Sequence, residues 1–383
     1  MLVHEFLLVL LCVYSVNTTD SHLMRLHKNL FKRYNPDVRP VMNFAIAIEV
    51  KITLGLQAIR KIDENMETMV TTFWFELTWQ DAFLNWNMSD YGDIELVSMP
   101  AKRIWTPDIY ISNSRSNKPY LFIPDDYILS IQHNGTILWF VGGSVETHCK
   151  LNVRTFPFDT QICAIEIAQW SSYVSQVRLA AHGHLDSCMF EPSGTWKLAG
   201  LSAKVETICS GSQQMLKFEL TLTRLPMFYI IAIIIPVCLL TILNPVVFLV
   251  PVESGEKISL AISILLSYSV ILASLTQELP EASDNISVLG GYVCSMLCLK
   301  VVTVVSSVGI VSLYHRPRTI PVTGIYLWLA TFKTFKNSPK EESGDQQIIS
   351  WQDVSESADR FMFNLMTLLI VMISIICLIL ICQ

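Results

Sequence analysis

Hydrophobic and polar positions follow three rhythms along this chain. Over residues 20–34, Leu23, Leu26, Leu30 and Phe31 recur at helical spacing, Arg25, Lys28, Lys32 and Arg33 fall elsewhere, and NPDVRP ends the run. This predicts one amphipathic helix. From residue 41 the period becomes two. Phe44, Ile46, Ile48, Val50, Ile52 and Leu54 alternate with smaller or polar residues, and similar short runs bounded by YGD, NGT and PSGT recur as far as Arg224. That pattern predicts an all-β, immunoglobulin-like sandwich. Beyond Arg224 the alternation gives way to uncharged runs at 225–252, 258–277, 285–314 (broken only by Lys300) and 361–383. Each reaches the ~20 residues that a helix needs to cross a bilayer. The second half therefore reads as an all-α bundle of four crossings, over 225–250, 256–277, 286–314 and 361–383.

Composition supports this division. The chain is 51% hydrophobic and only 16% charged, with a mean hydropathy of +0.43, whereas a soluble domain is roughly 25% charged. Residues 20–224 hold 19 Lys+Arg and 21 Asp+Glu, and residues 225–383 only 8 and 11. A net charge of −6 argues against a nucleic-acid partner. The apolar stretch within residues 1–16 is too short to span and is followed by polar NTTDSH, as in a secretory signal peptide. With residues 20–224 exported, four crossings place 315–360 inside the cell. Charge agrees: Arg316, Arg318, Lys333, Lys336, Lys340 and Arg360 fall in that segment, and the 278–284 loop carries only Glu278, Glu281 and Asp284. These features predict a multi-pass plasma-membrane protein in contact with lipid, its N-terminal domain extracellular.

Four cysteines, Cys149, Cys163, Cys188 and Cys209, lie in the exported half, where disulfides are the default. Asn87-Met88-Ser89 and Asn134-Gly135-Thr136 satisfy the glycan acceptor rule on surface turns. Strand parity separates two tryptophans from the core. Trp74 opposes the face of Phe73, Phe75, Leu77 and Trp79, and Trp170 opposes that of Cys163, Ile165 and Ile167. Large rings on a non-core face suit contact with a ligand or partner, and they equally suit cover by a second sheet.

Cys149 and Cys163 enclose KLNVRTFPFDTQI, whose Phe156-Pro157 pair favours a cis or tightly turned bond. This segment closely resembles the signature loop of the Cys-loop receptors, the pentameric ligand-gated ion channels. Further motifs match the family: Trp74, Trp79 and Asp81; Trp86 to Ile94; Trp105 to Ile109; Trp170, seven residues past the second cysteine; Gly194 with Trp196; and Arg224 to Pro226. GEKISLAISILLS at 255–267 resembles the pore pattern of the cation-conducting nicotinic and serotonin-gated branch. The resemblance implies a Cys149–Cys163 disulfide and a pentamer of identical or related subunits. It also implies small-molecule agonist sites between neighbouring sandwiches, and a central pore lined by the second crossing.

Helical phase in that crossing is consistent with a pore. Glu256, Ser259, Ser263, Leu266, Val270, Ala273 and Gln277 recur at alternating steps of three and four, most polar near the inner end. Serines on such a stripe would also suit packing against neighbouring helices. As a pore face, Glu256 would form a carboxylate ring that selects cations, with Lys257 turned from the axis, and Leu266 would form an apolar ring that closes by dewetting. Pro236 and Pro245 are expected to kink the first crossing. Lys300, near the centre of the third, must snorkel or face the bundle interior.

The resemblance implies an aromatic cage for a cationic ligand, stabilised by cation–π attraction, with Trp170 on the principal side and Trp74 and Phe140 on the complementary side. Tyr173, Asp186 and Cys209 would be further lining. Two parts depart from the family pattern. Ser112 stands where the first principal-side aromatic is expected, and the hairpin tip ETICSGSQQ lacks the usual tyrosines and cysteine pair. Both argue against acetylcholine as the agonist and leave open an accessory or non-conducting subunit with a degenerate site. An extended strand over 194–207 would separate its ends by roughly 40 Å, so Cys188 and Cys209 exceed the ~7 Å limit for an intrachain bridge unless the strand bends. Two separate thiols, or a bridge between subunits, remain open. His182 and His184, beside Asp186, read as a solvated loop rather than a metal site. With neither a nucleophile–base motif nor a metal-ligand cluster, no enzyme activity and no cofactor are expected.

Overall fold

The computed structural model describes residues 22–116, 127–182, 190–208, 211–279, 287–318, 320–324, 326–328 and 350–382. It forms two compact units, residues 1–151 with 160–223, and residues 152–159 with 224–383.

The first unit opens with helix α1 over residues 22–30, shorter than the 20–34 that its periodicity predicts. Of the predicted apolar face, Leu26 is buried whereas Leu23 is exposed. The chain then turns, with the Asn35 side chain accepting from the Asp37 N–H at 3.0 Å. Among the described residues ten strands follow: β1 (Ile48–Asp63), β2 (Thr68–Gln80), β3 (Leu96–Pro100), β4 (Ile109–Ile111), β5 (Ile128–Gln132), β6 (Thr136–His148), β7 (Thr160–Gln169), β8 (Val177–Ala181), β9 (Trp196–Ile208) and β10 (Gln213–Arg224). They form a six-stranded sheet in the order β3-β5-β6-β2-β1-β8 and a four-stranded sheet in the order β4-β7-β10-β9. Alternation fills the sandwich as expected. Phe73, Phe75, Leu77 and Trp79 are all buried, and Phe75 of β2 meets Phe218 of β10 with ring centroids 5.8 Å apart.

The first strand begins at Ile48 rather than at residue 41. Phe44 and Ile46 are exposed in a loop. Arg39 holds that loop by donating to the carbonyls of Phe44 at 2.5 Å and Gln176 at 2.6 Å. Period-two spacing cannot register such side-chain anchoring of the backbone. The β5–β6 connection is a tight turn in which Gly135 has φ +85° and its carbonyl accepts from Asp81 N–H at 2.8 Å. Any larger residue would be strained there by its backbone angle alone.

Among its described residues the second unit holds four helices long and apolar enough to cross a membrane: α2 (Met227–Leu249), α3 (Lys257–Gln277), α4 (Val288–Tyr314) and α5 (Trp351–Cys382). Both prolines of α2 lie beside departures from α geometry. A π-turn at Ile230–Ile234 precedes Pro236, and a 3-10 turn at Val247–Leu249 follows Pro245. Widening or tightening a helix accommodates the bond and the space that proline removes. Helix α5 runs without interruption from residue 351, so the WQDVSESADRF segment and the apolar run after it are one element.

Polar contacts tie the bundle together. The Thr241 hydroxyl of α2 lies 2.7 Å from Tyr268 Oη of α3 and 3.4 Å from Tyr292 Oη of α4, and Tyr292 Oη lies 3.2 Å from Ser374 Oγ of α5. Residues 152–159 pack with this unit. Arg224 forms a bidentate pair with Asp159, Nε to Oδ1 at 2.8 Å and Nη2 to Oδ2 at 3.1 Å, with both side chains buried. Its guanidinium also stacks over Phe156, 4.9 Å from the ring centroid. The Phe156-Pro157 peptide is cis.

Candidate functional site

Two aromatic clusters stand on the first unit, one on each sheet. On the six-stranded sheet, Trp74 of β2 lies on the face opposite the core and pairs with Phe140 of β6, ring centroids 6.1 Å apart. Cross-strand partners on either side of Trp74 are Gly55 and Gly142. A Cβ at Gly55 would collide with the Trp74 indole, so the absent side chain is what lets that ring lie across β1. A glycine inside an otherwise β-branched strand signals such close approach. Gly55 is thus a residue that sequence parity alone passes over.

On the four-stranded sheet, Trp170 follows the end of β7 and is 60% exposed. It is exposed opposite Cys163, Ile165 and Ile167, as its parity predicts, although Ala168 and Gln169 before it are both buried. The turn after β7 holds it. Trp170 N–H donates to the Asp108 carbonyl at 3.2 Å, and Ser171 N–H donates to Asp108 Oδ2 at 3.0 Å. Tyr110 of β4 meets the Trp170 ring edge-on at 5.1 Å. The sequence reading missed Tyr110, although it lies two residues before Ser112 and so shares its strand face. Ser112 itself is half-buried, its N–H donating to the Glu166 carbonyl at 2.8 Å and its Oγ 3.4 Å from Glu166 Oε2. Glu166 in turn lies 3.4 Å from Lys217 Nζ, which also pairs with Glu206 at 2.9 Å. The Glu206 hydrogen bond raises the Lys217 pKa, and Glu166 adds to it against the cost of burial. Tyr173 is exposed. Asp186, His184, Cys188 and Cys209 lie outside the described residues. Cys149 and Cys163 are disulfide-bonded, with Cα atoms 5.1 Å apart.

In the second unit, α3 has two distinct faces. Lys257, Ala261, Ile264, Tyr268 and Leu275 are buried within the subunit. Glu256, Ser259, Ser263, Leu266, Val270, Ala273 and Gln277 are all exposed on it. Lys257 is buried against α5, its ammonium paired with Asp359 and 5.9 Å from the Phe248 ring centroid. Lys300 neither snorkels nor pairs. It is fully buried, and its Nζ has no hydrogen-bond partner among the described residues.

Comparison with known proteins accounts for both units. Residues 23–226 match the neurotransmitter-gated ion-channel ligand binding domain, and residues 233–324 match the neurotransmitter-gated ion-channel transmembrane region. The neuronal acetylcholine receptor subunit alpha-3 of Bos taurus is 31% identical over 351 residues, covering 89% of this chain and 70% of that one. The acetylcholine receptor subunit beta-type unc-29 of Caenorhabditis elegans is 30% identical, covering 83% of this chain and 64% of that one. The neuronal acetylcholine receptor subunit beta-4 of Gallus gallus is also 30% identical, covering 74% and 60%. An exported sandwich with a Cys149–Cys163 loop, four membrane-length helices and this match across both units leave one conclusion: the chain belongs to the neurotransmitter-gated ion channels, as a subunit of the nicotinic acetylcholine receptor family.

Proposed function

We propose that five such subunits, identical or related, surround a pore that conducts cations and opens when a small molecule binds between neighbouring extracellular domains. The observation that carries this reading is the division of charge at the start of α3. Glu256 is exposed whereas Lys257 is buried and neutralised by Asp359. The charge left facing away from the subunit's own bundle is a carboxylate, and a ring of carboxylates at a pore mouth concentrates and selects cations. Leu266 and Val270, 65% and 59% exposed, would supply apolar rings further along that close the pore by dewetting.

Reversal potentials under a sodium chloride dilution gradient test the selectivity. Wild type should reverse as a cation channel, Glu256→Ala should shift toward chloride, and a chloride-like reversal in wild type would sink the proposal. Leu266→Thr should raise spontaneous current by easing wetting. An unchanged open probability in surface-expressed receptor would remove Leu266 from the gate.

In this reading, the ligand's cationic or polarised group sits between the Trp170–Tyr110 pair of one subunit and the Trp74–Phe140 pair of the next. Ser112, bonded to Glu166 instead of presenting a ring, favours a second reading in which the subunit is accessory. Current from cells expressing this chain alone separates the two. Residues 1–16 as a signal peptide, 20–224 as the extracellular domain and 315–360 as the intracellular segment belong to the same proposal.

A further inference from the structure

The glycan acceptor sequences at Asn87 and Asn134 are distant in the chain but line one groove of about 640 Å³ in the first unit, together with Asn29 of α1, Phe83, Trp86, Tyr91 and His133. That volume falls in the range of small-ligand sites, roughly 300–1,000 Å³. Its walls pair two kinds of surface. Phe83 is 44% exposed, and the Tyr91 ring is held in place by Arg25 over one face at 5.1 Å and by Asn29 Nδ2 donating to its hydroxyl at 3.0 Å. Trp86 is anchored by its indole N–H, which donates to the Ile94 carbonyl at 2.7 Å. Polar groups lie among these rings, and His133 Nδ1 is buried with no hydrogen-bond partner among the described residues. A pyranose ring has the complementary chemistry, with an apolar C–H face for an aromatic wall and a rim of hydroxyl and acetamido groups for polar side chains.

The two asparagines differ in freedom. Asn134 Oδ1 accepts from Thr136 N–H at 2.9 Å in the β5–β6 turn. Asn87 starts the 3-10 turn Met88–Tyr91, is exposed, and makes no side-chain capping bond. It also sits on the same loop as Phe83, Trp86 and Tyr91.

We propose that Asn87 carries an N-linked oligosaccharide whose first sugar, an N-acetylhexosamine, seats in this groove against Phe83 and Tyr91. The donor is a lipid-pyrophosphate-linked oligosaccharide of the secretory compartment. Asn87 Nδ2 forms a bond to the anomeric carbon as the anomeric C–O bond breaks, the lipid pyrophosphate departs, and one amide proton is released. Seated there, the sugar ties α1 to the β2–β3 loop, while any glycan on Asn134 projects into solvent because the seat holds one chain.

Glycopeptide mass spectrometry of full-length receptor from the surface of eukaryotic cells should find Asn87 modified. Trimming with an endoglycosidase that leaves one sugar should preserve the melting temperature. Asn87→Gln, or Ser89→Ala, which removes the acceptor sequence without touching Asn87, should lower it by about 2–4 °C. Asn134→Gln should not. In a Phe83→Leu background, which keeps an apolar side chain but loses the flat face, the one-sugar and sugar-free receptors should melt together. An unmodified Asn87 overturns the proposal, as does a melting difference that survives Phe83→Leu or that follows Asn134 instead.

Discussion

The two units bury their polar groups by opposite logics. In the sandwich, the described core is mainly apolar, and the buried carboxyl of Asp81 is tied off on both oxygens. Tyr34 Oη donates to Oδ2 at 2.7 Å and Phe83 N–H donates to Oδ1 at 2.9 Å. In the bundle the pattern inverts. Leu239, Ile242, Val305 and Leu368 are exposed, while Asn244, Lys257, Lys300, Thr303 and Ser307 are buried. The surrounding solvent explains the difference. A sandwich in water can leave charge outside, whereas a helix in hydrocarbon must turn it inward, where a partner is not guaranteed. Buried charge in the second unit comes in two forms, paired as in Arg224–Asp159 and Lys257–Asp359, and without a partner among the described residues as in Lys300.

The largest expected effect follows from separating those two forms. Removing one member of a buried ion pair leaves an uncompensated charge and costs about 3–5 kcal/mol. Arg224→Ala or Asp159→Asn should therefore abolish most assembled receptor at the surface. Surface biotinylation checks this, and wild-type levels would mean that the pair is dispensable. Lys300→Met should act in the other direction. Replacing a buried ammonium that has no partner among the described residues with an apolar side chain of similar length removes its desolvation cost and is expected to be neutral or stabilising. A lower melting temperature of the detergent-solubilised receptor would show that the ammonium has a function worth its cost. The smallest effect belongs to the sandwich, where Tyr34→Phe removes one hydrogen bond to a carboxylate, worth about 1.5 kcal/mol, together with the weaker one that the hydroxyl accepts from Trp105 N–H.

That last variant also has a pH signature. Burial pushes the Asp81 carboxyl up, and the Tyr34, Phe83 and Leu84 hydrogen bonds oppose the shift. With a native pKa above the unfolded one, Asp81 favours folding most at acid pH, and that contribution is lost as pH rises through the native value. The Tyr34 bond supports the ionised form, so the penalty of Tyr34→Phe should be greatest once Asp81 is ionised and should shrink as pH falls. Thermal melts across acid to neutral pH measure it. A penalty that grows on acidification would contradict the assignment.

Much of the candidate site was legible because it rests on period. Trp74 opposite Phe73 and Phe75 is a matter of strand parity, and the exposed stripe from Glu256 to Gln277 is a matter of helical phase. Trp170 is exposed opposite the face of Cys163, Ile165 and Ile167, as parity predicts, and only the Asp108 contacts that hold it in the turn after β7 are not encoded by periodicity. Tyr110 and Gly55 were visible as residues but not as neighbours of the two tryptophans, since their contacts cross from one strand to another.

By itself the sequence determined the two solvents in which this chain folds, the alternation that builds the sandwich, the apolar lengths that span a bilayer, and the loop between Cys149 and Cys163. Those are local properties, set by hydrophobic spacing and by residue types a few positions apart. Only the tertiary structure decided that Lys257 meets Asp359 across 102 positions, that Lys300 is buried, that Tyr110 backs Trp170, and that Asn87 and Asn134 share one groove. Each of these joins residues far apart in the chain, so its energy appears only after packing has removed water and fixed which side chains can reach each other.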